Sequence, residues 1–200
     1  MFKEYGIVNY KILHGPEGES INVNELYDKK LIENHMKKMP NPIGTIETHK
    51  MAWQDLVNSD CKNCIVFEDD VYFLDNFETR LRYFLTNLPD NWDVLQIGWL
   101  PPHFSNKNDK KINEYVKLRW SGVAGAHCYA LKLDSARTLI ENMYPIKKAV
   151  DGYIGDMTNP WTKQEKNIHL DCYSPLQCLA IDCSHDHGNT VKFESHGIHS

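Results

Sequence analysis

The sequence predicts an α/β fold in which helices cover the faces of a β-sheet. Short apolar runs typical of strands alternate with segments whose apolar residues recur at helical spacing, and we find no long stretch of strands alone. Of the 200 residues, 42% are hydrophobic and 24% charged, which suits one globular domain with a substantial core. We therefore expect residues 1–200 to form a single domain.

The first half of the chain predicts two strands and several helices. The run "GIVNYKIL" (6–13) alternates as a strand does until Gly and Pro interrupt it. Residues 24–39 fit a surface helix or two short helices, and residues 44–59 fit a helix that packs one apolar face inward. The apolar run 64–67 predicts a buried strand. A further helix begins near residues 75–76, where Asp or Asn would cap it.

The second half is richer in strands. Residues 134–143 fit a helix with Asp134 as its N-cap and Pro145 after its end. Residues 101–111 are the most loop-like stretch of the chain. Apart from two short strand candidates, we expect residues 151–200 to be irregular. The predicted strands are 92–100, 115–120, 126–132, 168–173 and 178–183.

Charge and hydropathy exclude two classes of function. The net charge is −5 and no basic cluster exceeds two consecutive lysines, so binding to nucleic acid through its phosphates is not expected. No apolar run reaches the roughly 18–20 residues that span a bilayer. The N-terminal "MFKEYGIVNYK" has acids and lysines where a signal peptide has its apolar core. We expect a cytoplasmic protein without a membrane span.

Six cysteines are too few in this length of chain to predict a disulfide framework, so we expect free thiols. Cys61 and Cys64 form a C-x-x-C pair without a second pair at standard spacing. A zinc protein that uses these two cysteines and the late histidines is an alternative. It would require stoichiometric zinc that is lost in Cys61→Ser.

Three adjacent acids, Glu68, Asp69 and Asp70, follow the predicted strand 64–67 and precede more apolar residues. Desolvating a carboxylate beside two others is costly unless a positive charge compensates it. In an extended segment Glu68 and Asp70 project to the same side, where they would form a seat for Mg²⁺ or Mn²⁺. Such a cation could hold a diphosphate. The alternative is a solvated acidic turn between strand and helix.

Four stretches, in order, resemble glycosyltransferase family 25, which includes lipooligosaccharide and collagen galactosyltransferases. They match the family's Gly and Ser-His helix (with Thr48 in place of Ser), its acidic motif, its Trp-Asp strand ending in Gly, and its Gly-x-x-x-Tyr strand followed by Pro and Asp-Gly-Tyr. The stretches are "IGTIETHKMAW" (43–53), "IVFEDDVYF" (65–73), "NWDVLQIG" (91–98) and "GAHCYALKLDSARTLIENMYPIKKAVDGYI" (125–154). One departure is that we expect the family's first strand to be absent here.

The resemblance implies a GT-A fold, which is a Rossmann-like mixed sheet flanked by helices, and a nucleotide-sugar donor with Mn²⁺ or Mg²⁺. Glu68 and Asp70 would bind the metal, and His185 (or His187) from "DCSHDHGN" would complete its shell. Asp69 and His49 would line the donor site. Asp151 in "VDGY" would be the catalytic base. The alternatives are a turn or cap role for Asp151, a packing role for His49, and a solvated tail around His185.

The function implied is inverting transfer of a hexose, Gal or Glc, from a UDP-sugar to a hydroxyl of an oligosaccharide or of a hydroxylated side chain. The alternative is a catalytically inactive GT-A-like module that binds a sugar, a nucleotide or a protein partner. We expect acceptor contacts from residues 101–111 and from residues 155–167, which include Trp161, because aromatic rings stack on sugar faces.

Overall fold

A six-stranded mixed sheet is the centre of the structure, a computed structural model that describes residues 7, 9–100, 109–120, 125–162 and 168–183. The order across this sheet is β1-β6-β3-β7-β5-β4, and β2 pairs with β8 in a separate two-stranded ribbon. β1, β3 and β7 are parallel to one another, whereas β6 and β5 run antiparallel to their neighbours. The strands are β1 Asn63–Phe67, β2 Val71–Phe73, β3 Val94–Gln96, β4 Lys110–Lys111, β5 Val116–Arg119, β6 Cys128–Lys132, β7 Cys172–Pro175 and β8 Ala180–Asp182.

Helices pack on both faces of the sheet, as the sequence predicts. Side chains alternate along β6, so that Tyr129 and Leu131 face one side while Cys128 and Ala130 face the other. The first side packs against α2, α4 and α5, and the second packs against α3 and the β2–β8 ribbon. The helices are α1 Val23–Asp28, α2 Pro40–Val57, α3 Phe77–Thr86, α4 Leu133–Asn142 and α5 Val150–Thr158, with 3₁₀ turns at Gly18–Ser20 and Asn34–Lys38.

The α/β fold with a Rossmann-like mixed sheet flanked by helices is confirmed, but several local predictions are wrong. The described residues within 6–13 form no strand. The cap of α4 is Lys132 rather than Asp134. Asn76 does occupy the N-cap position of α3, as predicted, but it is left-handed (φ 58°) and its side chain makes no hydrogen bond to the helix. Helix α5 was not predicted, because the two glycines in "VDGYIG" weaken its helical signal. Within the described part of the chain, no helix is long and apolar enough to cross a membrane.

β1 is an edge strand, whereas the sequence predicted a fully buried one. Among the described strands it pairs only with β6, through a register that joins Val66 to Tyr129 and Phe67 to Cys128. Ile65 is 38% exposed. An apolar run alone does not distinguish a strand with two neighbours from an edge strand that is covered on one face.

The β2–β8 ribbon crosses one end of the main sheet. Val71 pairs with Asp182 and Phe73 with Ala180, while the backbone N–H of Cys183 donates to the carbonyl of Asp70 (3.1 Å). Gly98, just after β3, forms a parallel bridge to Ala180. The ribbon therefore brings residues near 180 to the ends of β1 and β3.

Two glycines make this end of the sheet possible. An added Cβ at Gly98 would lie 2.7 Å from the carbonyl oxygen of Ala180 and 2.7 Å from His127 Nε2. Gly125 has a positive φ of 84° and lies against the same histidine ring. Glycine is required at position 98 because a backbone carbonyl and a buried ring close over it.

We predict that Gly98→Ala lowers the free energy of unfolding by about 1–3 kcal/mol, because the added methyl group overpacks a contact with backbone. Urea unfolding measures the change. Gly152→Ala in α5 is the matched control: its Cβ would meet only the Lys148 side chain, at 3.4 Å, so stability should be unchanged or rise by up to ~1 kcal/mol. Wild-type stability of Gly98→Ala would contradict the packing described.

Candidate functional site

The acidic triplet forms a tight turn between β1 and β2. The backbone N–H of Glu68 donates to the carbonyl of His127 (3.0 Å), and the N–H of Val71 donates to the carbonyl of Glu68 (3.3 Å). Asp69 is exposed at the tip of the turn, while Glu68 and Asp70 are partly buried on either side of it. These two hydrogen bonds fix the backbone of the turn, so the three acids stay close together.

Glu68 and Asp70 have different partners. His49 Nε2 lies 3.0 Å from Glu68 Oε1. The Asp70 side chain instead hydrogen-bonds to the carboxyl group of Asp182, which requires that one of the two be protonated. The simple alternation of an extended segment therefore does not describe this turn.

The environment of the Asp70 carboxyl group disfavours its charged form. Burial, together with the charges of Asp182, Glu68 and Asp69, raises the pKa of Asp70 to about 6. Its Oδ1 atom is buried, and among the described residues no hydrogen-bond donor reaches it. Such an oxygen would gain from a cation, which would both fill its missing contact and offset the repulsion.

The donor set fits a hard divalent cation such as Mn²⁺ or Mg²⁺, because carboxylate oxygens are the ligands these ions prefer. Asp70 and Asp182 are the adjacent pair with an unsatisfied buried oxygen. No group of three or more His, Cys, Asp or Glu side chains converges into a full metal shell within the described ranges. His185 and His187, predicted to complete the shell, lie outside those ranges.

His49 lies beneath the site rather than on its wall. It is 4% exposed, and its Nδ1 atom is 2.8 Å from the hydroxyl of Tyr129. The structure thus buries His49 beneath the acids, and its lining of a donor site stays a prediction. Asp69, assigned with it to the donor site, is exposed at the turn.

Asp151 lies in the first turn of α5 at the same end of the sheet. One of its carboxylate oxygens accepts a hydrogen bond from the backbone N–H of Gly125 (3.2 Å), and the other accepts one from Gly152 (2.7 Å). These bonds tie α5 to the segment that precedes β6. A structural role at the helix start is therefore present, and one lone pair on each oxygen is left for any further role.

His127 connects the two parts of the site. Its carbonyl holds Glu68, and its ring packs against Gly98 and Gly125, the second of which bonds to Asp151. Its Nε2 atom lies 3.1 Å from the carbonyl of Ala180, so Nε2 carries the proton and donates. His127 therefore packs between the acidic turn, the β2–β8 ribbon and the start of β6.

Asp182 is the residue that the sequence reasoning missed. In "DCSHDHGN" (182–189) the histidines are the predicted metal ligands, whereas Asp182 is not among the predicted site residues. An acid at the end of an apolar strand is the same kind of signal that identifies Glu68 and Asp70, and Asp182 is the last residue of β8. Asp182 reaches the site only through the pairing of β2 with β8, which local sequence does not reveal.

The other predicted features are only partly described. All six cysteines are free, as expected, and the described residues contain no cluster that could bind zinc. Trp161 is 57% exposed and meets Trp120 edge to face at 5.6 Å, so an aromatic surface is available there. Most of the loop predicted to contact an acceptor (101–108) and residues 163–167 lie outside the described ranges.

A cleft of about 460 Å³ lies at the opposite end of the sheet, among Lys62, Asp90, Trp92 and Lys132. Lys132 Nζ lies 4.9 Å from the centre of the Trp92 ring and donates to the carbonyl of Asp90 (2.6 Å). Lys62 and Lys132 lie at the start of β1 and the end of β6, so the acids do not line this cleft. We place the candidate site at the acids because their unsatisfied charge, rather than concavity, marks a binding site.

We predict that Asp70→Asn raises the melting temperature more at pH 7.5 than at pH 4, in buffer with EDTA. The raised pKa means that the folded chain holds a proton that the unfolded chain releases between about pH 4 and pH 6, so stability from this group falls as pH rises through that window. Asn carries no charge and escapes the loss.

Asp60→Asn, at an exposed position after α2, is the matched control and should show no such pH-dependent gain. Differential scanning calorimetry at the two pH values makes the comparison. An Asp70→Asn melting temperature equal to or below that of the wild type at pH 7.5 would contradict the repulsion described.

Comparison with known proteins supplies the family. The model of "Glycosyltransferase family 25 (LPS biosynthesis protein)" matches residues 6–154. The procollagen lysyl hydroxylase and glycosyltransferase of Acanthamoeba polyphaga mimivirus is 27% identical over 175 residues, which cover 81% of this chain and 19% of that protein. The human inactive glycosyltransferase 25 family member 3 is 26% identical over 137 residues, covering 64% of this chain and 22% of that protein. The chain thus spans about a fifth of the length of these relatives. Because the family model matches most of its residues, the chain belongs to glycosyltransferase family 25.

Proposed function

We propose that this chain is a metal-dependent, inverting hexosyltransferase domain with a GT-A fold, which moves Gal or Glc from a UDP-sugar to a hydroxyl acceptor. The observation that carries the proposal is the Asp70–Asp182 carboxyl pair, with its buried unsatisfied oxygen, in a turn that also holds Glu68 and Asp69. The repulsion among these carboxyl groups is what a bound cation would offset.

In this proposal Asp70 and Asp182 hold Mn²⁺ or Mg²⁺, with Glu68 beside them. The bound ion supplies positive charge against the diphosphate of the donor as the sugar leaves it. Asp69, exposed at the turn, contacts the donor. His185, the remaining predicted ligand, belongs to the segment that follows β8 directly.

Asp151 is proposed as the base that accepts the proton of the acceptor hydroxyl. The acceptor oxygen bonds to the anomeric carbon from the face opposite the leaving group, the bond to the diphosphate breaks, and UDP departs. The two backbone N–H groups of Gly125 and Gly152 fix the orientation of the Asp151 carboxylate. The acceptor is an oligosaccharide or a hydroxylated side chain, the second being suggested by the mimivirus relative, whose name refers to procollagen.

A binding module without catalysis is the second candidate, because relatives of comparable identity are named as inactive family members. Both backbone bonds of Asp151 are compatible with this alternative, since they give the residue a structural role. Turnover separates the two candidates.

We predict that the purified chain releases UDP from one of a panel of UDP-sugars with Mn²⁺, including slow hydrolysis without acceptor, and that EDTA abolishes the release. Asp70→Asn and Asp182→Asn should each lower the rate by about 100-fold or more, because each removes a charge that stabilises the ion. Asp60→Asn should be unaffected. Mn²⁺-dependent UDP binding without release would support the binding module. If the chain neither binds UDP with Mn²⁺ nor releases it from any UDP-sugar, the proposal is overturned.

We further predict that Asp151→Asn lowers kcat by roughly 10²–10⁴-fold with little change in the KM for the donor, because it removes a proton acceptor and not a donor contact. Steady-state kinetics with the donor identified above measures both constants. The melting temperature must be recorded as well, since the Asn side chain offers only one oxygen to the two N–H groups. A raised donor KM with unchanged kcat would exclude Asp151 as the base.

A further inference from the structure

A chain of hydrogen bonds runs from the core of the protein to the acidic turn. Trp53 Nε1 lies 2.8 Å from Tyr129 Oη, Tyr129 Oη lies 2.8 Å from His49 Nδ1, and His49 Nε2 lies 3.0 Å from Glu68 Oε1. Exposure is 0% for Trp53, 1% for Tyr129 and 4% for His49, while the Glu68 side chain is 26% exposed. Only the last member therefore meets solvent.

The chemistry of the four groups fixes which partner donates in each of these three hydrogen bonds. The indole N–H of Trp53 can only donate, so Tyr129 Oη accepts from it. The hydroxyl proton of Tyr129 then needs an acceptor, and among the described residues His49 Nδ1 is the one within hydrogen-bond distance. With Nδ1 accepting, His49 carries its proton on Nε2 and donates it to Glu68 Oε1. Each donor in the series has a matching acceptor.

Three structural elements hold these hydrogen-bonded side chains in place. His49 and Trp53 lie one helical turn apart on α2, so their side chains share a face. Tyr129 belongs to β6 and pairs with Val66 of β1, two residues before Glu68. The His49 and Tyr129 rings stack at 5.6 Å with 20° between their planes. The histidine ring cannot turn without breaking both of its hydrogen bonds and this stacking contact.

We propose that His49 is a positioning residue: with Tyr129 and Trp53 behind it, it holds Glu68 by one carboxylate oxygen and directs the other to the ligand of the acidic turn. The inference rests on the proposed function for the identity of that ligand, a divalent cation with a diphosphate. Buried polar networks cost desolvation, whereas apolar side chains of similar size would pack as well. A network that ends on a partly exposed carboxylate is explained if the orientation of that carboxylate matters.

The donor and acceptor roles in this series of hydrogen bonds can be tested without any ligand. In a long-range ¹H–¹⁵N spectrum at pH 7.5, His49 should show the neutral form protonated at Nε2, with its signals identified by their loss in His49→Gln. In Tyr129→Phe the Nδ1 atom loses its donor while Glu68 still accepts from Nε2, so the tautomer should persist and the Nδ1 resonance should move toward that of an imidazole nitrogen without a hydrogen bond. An Nδ1-protonated His49 in the wild type, or an unchanged spectrum in Tyr129→Phe, would overturn the inference.

The positioning effect is tested by Mn²⁺ affinity, measured by titration calorimetry in the presence of UDP. His49→Leu should weaken binding by about 10–100-fold, the range typical of residues that orient metal ligands. His49→Gln should recover much of the loss, because its amide can accept from Tyr129 and donate to Glu68. It also serves as the measurable variant if His49→Leu does not fold.

Equal Mn²⁺ affinity in the wild type, His49→Leu and His49→Gln would overturn the positioning role while leaving the proposed metal site intact. A wild-type chain that binds no Mn²⁺, but whose His49 is protonated at Nε2, would overturn the metal site and leave the directed chain of hydrogen bonds standing. The two failures are thus distinguishable.

Discussion

The repulsion among carboxylates at the end of β1 is the constraint on which the rest of this site depends. The turn is held by hydrogen bonds to His127 on one side and from Cys183 on the other, so backbone pairing overrides the tendency of the charges to separate. The β2–β8 ribbon then adds Asp182, a fourth acid, to the same place. The fold therefore holds four carboxyl groups close together against their mutual repulsion, which the proposed cation would offset.

The acids of the turn differ in the hydrogen-bond partners that the protein gives them. Glu68 has a buried hydrogen-bond donor in His49, so its position is defined by the protein itself. Asp70 is hydrogen-bonded to the Asp182 carboxyl group instead, and burial together with the charge of Asp182 raises the pKa of Asp70. The protein itself thus fixes Glu68, while Asp70 keeps a buried oxygen that no hydrogen-bond donor of the described residues reaches. The acidic turn thus contains one carboxylate oriented by a buried histidine and one carboxyl pair with an unsatisfied oxygen.

Sequence predicted most elements that depend on local pattern, although it missed α5 and the cap of α4. It did not predict what depends on pairing at a distance. The acid turn, β6, α2 and the start of α3 follow from apolar spacing and turn residues. The edge position of β1 and the approach of Asp182 depend on which strands become neighbours. A strand candidate at residues 178–183 was available, but nothing near it in sequence indicates that β2 is its partner.

The acidic turn is compatible with both candidate functions. A binding module would also need a ligand whose positive charge, its own or that of a bound ion, offsets four acids, so the acidic turn alone does not distinguish turnover from binding. The difference rests on Asp151, which lies across His127 from the turn and is already bonded to two backbone N–H groups. Those bonds orient the carboxylate without consuming all of its lone pairs. The same geometry that anchors α5 thus leaves the Asp151 carboxylate oriented with unused lone pairs, which is what the proposed role as a base requires.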